Sequence, residues 1–333
     1  MDPADDMLGL AGTVKASWQR FLDVYEPLRP ELYRYCRYLT RSPWDAEDLA
    51  QDTLARAFAT LGCLFQPPPN PRAWMFRVAS NLWIDRMRRA REVLGATPDD
   101  ALNAGVEPEP RADRDAARSL IARLSPQERA SVVLKDVFDL TLEEVADALS
   151  TSVGAVKTAL HRGRGKLAEP SLDADAPVPR QPSARVLDAF CDAFNARDLE
   201  RLTALLLDTA VVELVGVVTE YGPEAARHPD TGSLAGFLTP IATSESGAGI
   251  HPSHLVGYLG QLPRVEVREH RGEPILLYWY AHDFGDAVRT VARVASVDDR
   301  LMHMRNYFFT PDVVAEVCSE LGVPFRTNGY RYW

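Results

Sequence analysis

Thr141-Leu142-Glu143-Glu144-Val145-Ala146-Asp147-Ala148-Leu149-Ser150-Thr151-Ser152-Val153-Gly154-Ala155-Val156-Lys157-Thr158-Ala159-Leu160-His161-Arg162 is the stretch on which the reading of this chain turns. Thr141, with Glu144 three residues on, has the form of a capping box and predicts a helix start. Leu142, Val145, Ala146 and Leu149 then recur at helical spacing as the apolar stripe of one short helix. Ser150-Thr151-Ser152 turns the chain and caps a second helix, whose Val153, Val156 and Leu160 face back toward the first. The pattern is a helix-turn-helix, the motif that places its second helix in the DNA major groove. Lys157, Thr158, His161 and Arg162 are linked by i+3 and i+4 steps, so they share one face roughly opposite the apolar one. From there a Lys or Arg reaches guanine edges or phosphates, Thr158 a phosphate or base, and His161 a base edge. The same spacing also describes a solvated basic face on a structural helix pair, so the segment alone leaves both readings open.

The charge distribution sharpens this. The 333-residue chain has a net charge of −10, yet Lys157 to Lys166 carries four Lys or Arg and no acid. Arg72 to Arg91 carries six arginines against the single Asp85. Nucleic-acid binding depends on where basic groups sit rather than on their sum. With 46% hydrophobic and 25% charged residues the composition is that of an ordinary globular protein, and no apolar run approaches the roughly 20 residues that span a bilayer. Met1-Asp2-Pro3-Ala4-Asp5-Asp6 is acidic and unlike a secretory signal. A cytoplasmic protein without a membrane role is expected. Cys36, Cys63, Cys191 and Cys318 lack the close spacing of zinc or redox motifs, so reduced and mostly buried cysteines, no metal and no cofactor are expected.

Two stretches rich in Pro, Gly, Ala and Asp without apolar periodicity read as linkers, 94–113 and 169–182. They separate a helical unit over 18–93, a second helical unit over 114–168 and an α+β unit over 183–333. In the first, Ser42-Pro43-Trp44-Asp45 predicts a helix start. From Ala46 to Leu61 an apolar stripe (Ala46, Leu49, Ala50, Thr53, Leu54, Ala57, Phe58, Leu61) leaves Asp45, Asp48 and Asp52 on the opposite, acidic face. After the break at Gln66 to Pro71, a further helix over 72–91 is predicted to bury Trp74, Val78, Leu82 and Ile84. In the second unit Ser125-Pro126-Gln127-Glu128 is another helix start. The third is predicted as two helices (184–196 and 199–207), then strands over 211–218, 264–270, 274–282, 288–297 and 301–309.

These residues resemble a known family. Leu124-Ser125-Pro126-Gln127-Glu128-Arg129, Thr141 to Ala146 and Ser152 to Arg164 closely resemble region 4 of the extracytoplasmic-function (ECF) sigma factors of the sigma-70 family. Asp45-Ala46-Glu47-Asp48-Leu49-Ala50-Gln51-Asp52-Thr53 resembles the region 2 helix that docks on the polymerase clamp helices. Pro71 to Asn81 and Arg86-Met87-Arg88-Arg89 resemble the part that melts and reads the minus-10 element. The resemblance covers roughly 20–168, in the family's order. It implies that Lys157, Thr158, His161 and Arg162 read the minus-35 element. Trp74, Arg77, Asn81, Arg86, Arg88 and Arg89 would capture the minus-10 strand, which suits a need for aromatic stacking and a cationic track. Asp45, Asp48, Gln51 and Asp52 would dock on core RNA polymerase. Implied partners are core polymerase (the β′ clamp helices and the β flap) and promoter DNA, with an anti-sigma factor or a small ligand as further candidates. Trp74 and the acids also fit a core residue and a solvated face. The sequence departs from the family at Ala155, where threonine is usual, and Ala159, where arginine is usual.

The C-terminal unit, with Phe190, Phe194, Leu202 and Leu205 as a buried stripe, resembles the SnoaL-like α+β cone that some ECF sigma factors carry. Glu213, Tyr221, His254, Trp279, His282 and Asp283 are its candidate pocket residues; no spacing fixes a catalytic pair. The aromatic tail Phe325, Tyr330, Tyr332 and Trp333 is expected to fold back. The leading expectation is a non-enzymatic sigma factor tuned in cis by this unit. Alternatives are a helix-turn-helix regulator with a ligand sensor, or an isomerase- or hydrolase-like cone fused to a DNA-binding module.

Overall fold

In a computed structural model, residues 3–64, 66–94, 124–167, 182–228, 232–238, 262–282 and 285–330 are described, and the chain divides into two compact units, Met1–Pro177 and Val178–Trp333.

The first unit opens with α1 (Pro3–Tyr25), which starts well before the expected boundary at 18, followed by α2 (Arg29–Thr40), α3 (Pro43–Leu61) and α4 (Pro71–Leu94). The start of α3 is the one read from sequence: the Asp45 N–H donates to Ser42 Oγ, with Pro43 in the first turn. Its stripe, Ala46, Leu49, Ala50, Leu54 and Ala57, is buried against Leu32, Cys36 and Leu39 of α2. Inside lies an ion pair the sequence did not reveal, Arg29 to Glu47 at 2.5 Å, both below 6% exposure. Rings of α1 close over α3: Trp18 and Phe21 sit 5.1 and 5.5 Å from Phe58.

The buried face of α4 corrects the sequence expectation. Met75, Phe76, Ala79 and Trp83 are buried, whereas Trp74, Val78, Leu82 and Ile84 are only half-buried. Both sets have helical spacing; α2 decides between them, because Tyr35 bonds Ser80 at 2.7 Å and its ring lies 4.9 Å from that of Phe76 at a tilt of 45°.

Capping boxes Ser125/Glu128 and Thr141/Glu144 start α5 (Pro126–Val132, continued by a π-helical turn over Val133–Val137) and α6 (Leu142–Ala148). Ser150 turns the chain with a left-handed φ of 51°, and Ser152 Oγ accepts the Ala155 N–H to start α7 (Val153–Leu167). The helix-turn-helix is therefore α6 and α7. This block is packed on the first four helices: Arg129 donates to the Leu39 carbonyl at 2.6 Å and lies over Trp83, and Phe138 meets Tyr35 and Phe76 at 5.7 and 5.1 Å. The expected linkers fall almost wholly outside the described residues.

The second unit has the expected α+β fold. Helices α8 (Ala184–Asn195) and α9 (Leu199–Ala204) precede β1 (Leu206–Leu214) and β2 (Val218–Tyr221), then α10 (Gly222–Arg227), α11 (Ser233–Leu238), β3 (Arg264–His270), β4 (Glu273–Tyr280), β5 (Ala287–Val297), β6 (Arg300–Asn306) and α12 (Pro311–Leu321). The strand order is β2-β1-β6-β5-β4-β3, with β1 and β6 parallel and the other neighbours antiparallel. Val212, Leu214, Leu276, Tyr278, Ala292, Val294 and Met304 of the sheet form one core with Phe190, Phe194, Leu202 and Phe237. On the other face, Ile275, Leu277 and Val291 are also fully buried, where α12 packs on β5 and buries Val313, Val314, Val317 and Cys318. The tail folds back on this unit: Phe325 bridges Val288, and Tyr330 donates to Asp312 at 2.5 Å. Tyr332 and Trp333 lie outside the described residues. Among the described residues no helix is long and apolar enough to cross a membrane.

Candidate nucleic-acid interface

Helix α7 carries the four residues singled out for duplex DNA. Val156 and Leu160 are buried, and Lys157, Thr158, His161 and Arg162 are all exposed on the opposite side. The Thr158 hydroxyl donates to the Gly154 carbonyl at 3.0 Å, so its methyl points outward with the hydroxyl spoken for until a partner competes. Two further cations of α7 serve the fold instead. Arg164 forms a two-bond pair with Asp136, which raises its pKa, and Lys166 pairs with Glu128 at 2.9 Å. Ala159 is buried, on the side away from the reading face.

The cationic track on α4 is divided by its partners. Asn81, Arg88 and Arg89 are exposed. Arg88 pairs with Asp85 at 3.0 Å, an exposed (i, i+3) pair worth little. Arg86 is instead ion-paired with Asp52 of α3, so one expected strand-reading group and one expected docking group hold each other. Arg77 pairs with Asp147 at the end of α6, and its Nε donates to the Asp147 carbonyl at 2.9 Å. Trp74 is half-buried, 5.8 Å from the Tyr25 ring. On α3, Asp45 and Asp52 are exposed, Asp48 is half-buried, and Gln51 donates to the buried Glu47 at 2.7 Å.

The candidate pocket residues of the second unit that lie among the described residues do not line its main core. Glu213 lies on the sheet face opposite the main core, 3.2 Å from His303 and 2.6 Å from Arg305. The hydrogen bond to His303, then Arg305, hold its carboxyl below the usual carboxylate range, which suits a fixed anion rather than a proton carrier. Tyr221 pairs with Val211 on that same outer face and is 74% exposed. Trp279 also points away from the main core, beneath the Arg264 guanidinium. His282 lies two residues past the end of β4, and His254 and Asp283 lie outside the described residues. The polar groups that enter the main core among the described residues include Tyr278, Tyr280, Thr290 and Asn306, with Thr290 bonded to Asn306 at 2.7 Å, and Glu220 of β2, which pairs with Val212, accepts from the Ser233 N–H and hydroxyl at 2.8 and 2.6 Å, and has its carboxyl pushed up by burial. Sequence alternation could not place Tyr278 and Tyr280, because β4 is buried on both faces. Among the described residues no three His, Cys, Asp or Glu side chains gather as a metal site. All four cysteines are free; burial pushes the Cys191 and Cys318 thiols up to about 12.

Comparison with known proteins bears on both helical blocks. Residues 24–93 match the family Sigma-70 region 2, and residues 114–167 match Sigma-70, region 4. The chain is 31% identical to the ECF RNA polymerase sigma factor SigW of Bacillus subtilis over 173 residues, which are 46% of this chain and 89% of SigW. It is 32% identical to the ECF RNA polymerase sigma factor SigJ of Mycobacterium tuberculosis over 293 residues, 77% of this chain and 89% of SigJ. This chain belongs to the ECF sigma factors. With SigG of M. tuberculosis it shares 33% identity over 221 residues, 57% of this chain, and spans 60% of the length of SigG. The match to SigJ is too long to be confined to the helical unit and takes in at least part of the α+β unit of this ECF sigma factor. Region 2 is thus α2 to α4 with the end of α1, and the described part of region 4 is α5 to α7.

Proposed function

We infer that this chain recruits core RNA polymerase and directs promoter-specific initiation, reading the minus-35 element with α7 and the minus-10 element with α4. The observation that carries the reading is the joint presence of two sigma regions in order, with Lys157, Thr158, His161 and Arg162 exposed on the second helix of the helix-turn-helix. A repressor needs only α6 and α7 and leaves the acidic face of α3 and the arginines of α4 without a task. Asp45, Asp48, Gln51 and Asp52 are assigned to docking on the polymerase clamp, and Trp74, Arg77, Asn81, Arg86, Arg88 and Arg89 to the opened strand. The reading as an initiation factor rests on the two sigma regions in order. The α+β unit is assigned a modulating role in cis.

Run-off transcription with purified core polymerase tests this. Transcripts should start at a defined site and depend on both promoter elements. A chain that binds duplex DNA alone and never directs initiation is instead a conventional regulator.

A further inference from the structure

Glu47 lies within α3 among the residues assigned to polymerase docking, yet it is buried. Its Oε1 accepts from Arg29 Nη2 at 2.5 Å and from Gln51 Nε2 at 2.7 Å. Arg29, at the start of α2, is buried as well, so two opposite charges are enclosed together. Such a pair is weak evidence for stability, because apolar side chains of similar volume fill the same space without the cost of desolvating ions. The hydrogen bond to Gln51 supplies another reason for it. A carboxylate oxygen only accepts, so the end of the Gln51 amide that meets Glu47 is the nitrogen. The carbonyl oxygen is then the end left to a partner, and among the described residues nothing donates to it.

We propose that Glu47, gripped by Arg29, is a positioning residue for polymerase docking: it draws the Gln51 amide nitrogen inward and fixes the carbonyl oxygen as the end offered to the polymerase. The inference rests on the assignment of Gln51 to docking and adds the residue that orients it. Asp45, Asp48 and Asp52 carry carboxylates, which accept and do not donate. An unheld Gln51 amide can turn either end outward, and its NH2 end would set a donor amid that group of acceptors. With the amide held by Glu47, the four docking residues present acceptors alone. The surface they fit is cationic, with Arg or Lys donors, whose bonds to carboxylates belong to the short, strong class. Fixing the amide in the free chain also spares the rotamer freedom that a long side chain otherwise gives up on binding.

The test is the affinity of the full chain for purified core polymerase, measured by competition against a fluorescently labelled native chain. Replacing the buried pair as a unit, Arg29→Met with Glu47→Met, strands neither charge and should keep the fold, which thermal unfolding verifies. This chain should bind core about 3- to 10-fold more weakly, the worth of one hydrogen bond. In a Gln51→Ala background the same double replacement should cause no further loss, because Glu47 acts through Gln51. A loss by the same factor in both backgrounds makes the pair merely structural and overturns the proposal, and so does the absence of any loss in the native background. Gln51→Lys leaves the buried pair untouched and puts a donor where the acceptor stood. It should bind at least as weakly as Gln51→Ala, and native affinity in this variant also overturns the proposal. Should Gln51→Ala bind core like the native chain, the docking assignment of Gln51 falls and the proposal with it. A native chain that never binds core refutes the initiation function itself, a separate result.

Discussion

Gly163 lies where α7 crosses α5, and a Cβ built there would stand 2.9 Å from Val132 Cγ2, with Glu128 Cβ at 3.5 Å behind it. Valine is stiff at χ1 and cannot swing away. Gly163→Ala therefore trades a helix-propensity gain of about 1 kcal/mol against overpacking that costs about 1–3 kcal/mol. A net loss is expected. Gly165, two residues on, has open space around the same position, so Gly165→Ala should stabilise by up to about 1 kcal/mol. Thermal unfolding of the two variants should move in opposite directions; equal shifts would contradict the packing of α7 on α5. A second residue-scale expectation concerns Glu320 of α12. Burial pushes its carboxyl up, but His270 at 2.7 Å and Arg271 at 2.8 Å outweigh this and bring it to about 2. Because the folded value lies below the ordinary 4.5, the stabilisation is complete above pH 4.5 and disappears as pH falls toward 2. It amounts to about 2–3 kcal/mol. Glu320→Gln should lower stability at neutral pH and flatten the acid-unfolding profile between pH 4.5 and 2. A parallel profile for both proteins would exclude the clamp.

At the scale of elements, α7 is where sequence and structure agree most closely. Capping boxes, the Ser150 turn and the apolar stripe are local signals, and local signals survive packing. Arg162→Ala should weaken binding to minus-35 duplex by the polymerase-bound protein by about 1–3 kcal/mol, and the loss should shrink on DNA altered at the contacted base. A uniform loss across sequences would make Arg162 a phosphate contact instead. Ala159 needs a different account from the one its family position suggested, because it sits on the buried side with Val156 and Leu160; the absence of arginine there takes no charge from the four exposed reading residues. The face of α4 was not legible, since two stripes of helical spacing compete and only the Tyr35–Phe76 packing selects Met75, Phe76, Ala79 and Trp83. In the α+β unit β3 to β6 were found to within a few residues, while the strand expected over 211–218 merged the end of β1 with the start of β2, and which face each residue takes was not legible. The run Ile275 to Tyr280 is buried on both sides, so it carries no alternation. The helix responsible, α12, went unread, and with it the reason Trp279 points away from the main core. The Arg77–Asp147 and Arg129–Leu39 contacts link positions 70 and 90 residues apart, and no local pattern records such pairs.

For the molecule as a whole, the arrangement of charge sets how it meets DNA. Of the net −10, the C-terminal unit from Val178 onward contributes −6, with 20 Asp or Glu against 14 Lys or Arg. The helical unit is thus nearly balanced, net −4, and ten of its 23 Lys or Arg lie on α4 and α7. Like charge repels a polyanion over a distance set by the Debye length, ~10 Å at 0.1 M salt. A chain lacking 178–333 should therefore bind nonspecific duplex more tightly than the full chain at low salt, and the difference should close as salt is raised, since screening removes a purely coulombic penalty. A cis-modulating role makes a separate demand: promoter-specific initiation by the shortened chain should differ from that of the full chain even at salt high enough to equalise nonspecific binding. Filter binding on scrambled duplex and run-off transcription, both across a salt series, separate the two effects. Equal nonspecific affinity at every salt would remove the charge argument, while transcription unchanged at every salt would leave the α+β unit without a part in initiation.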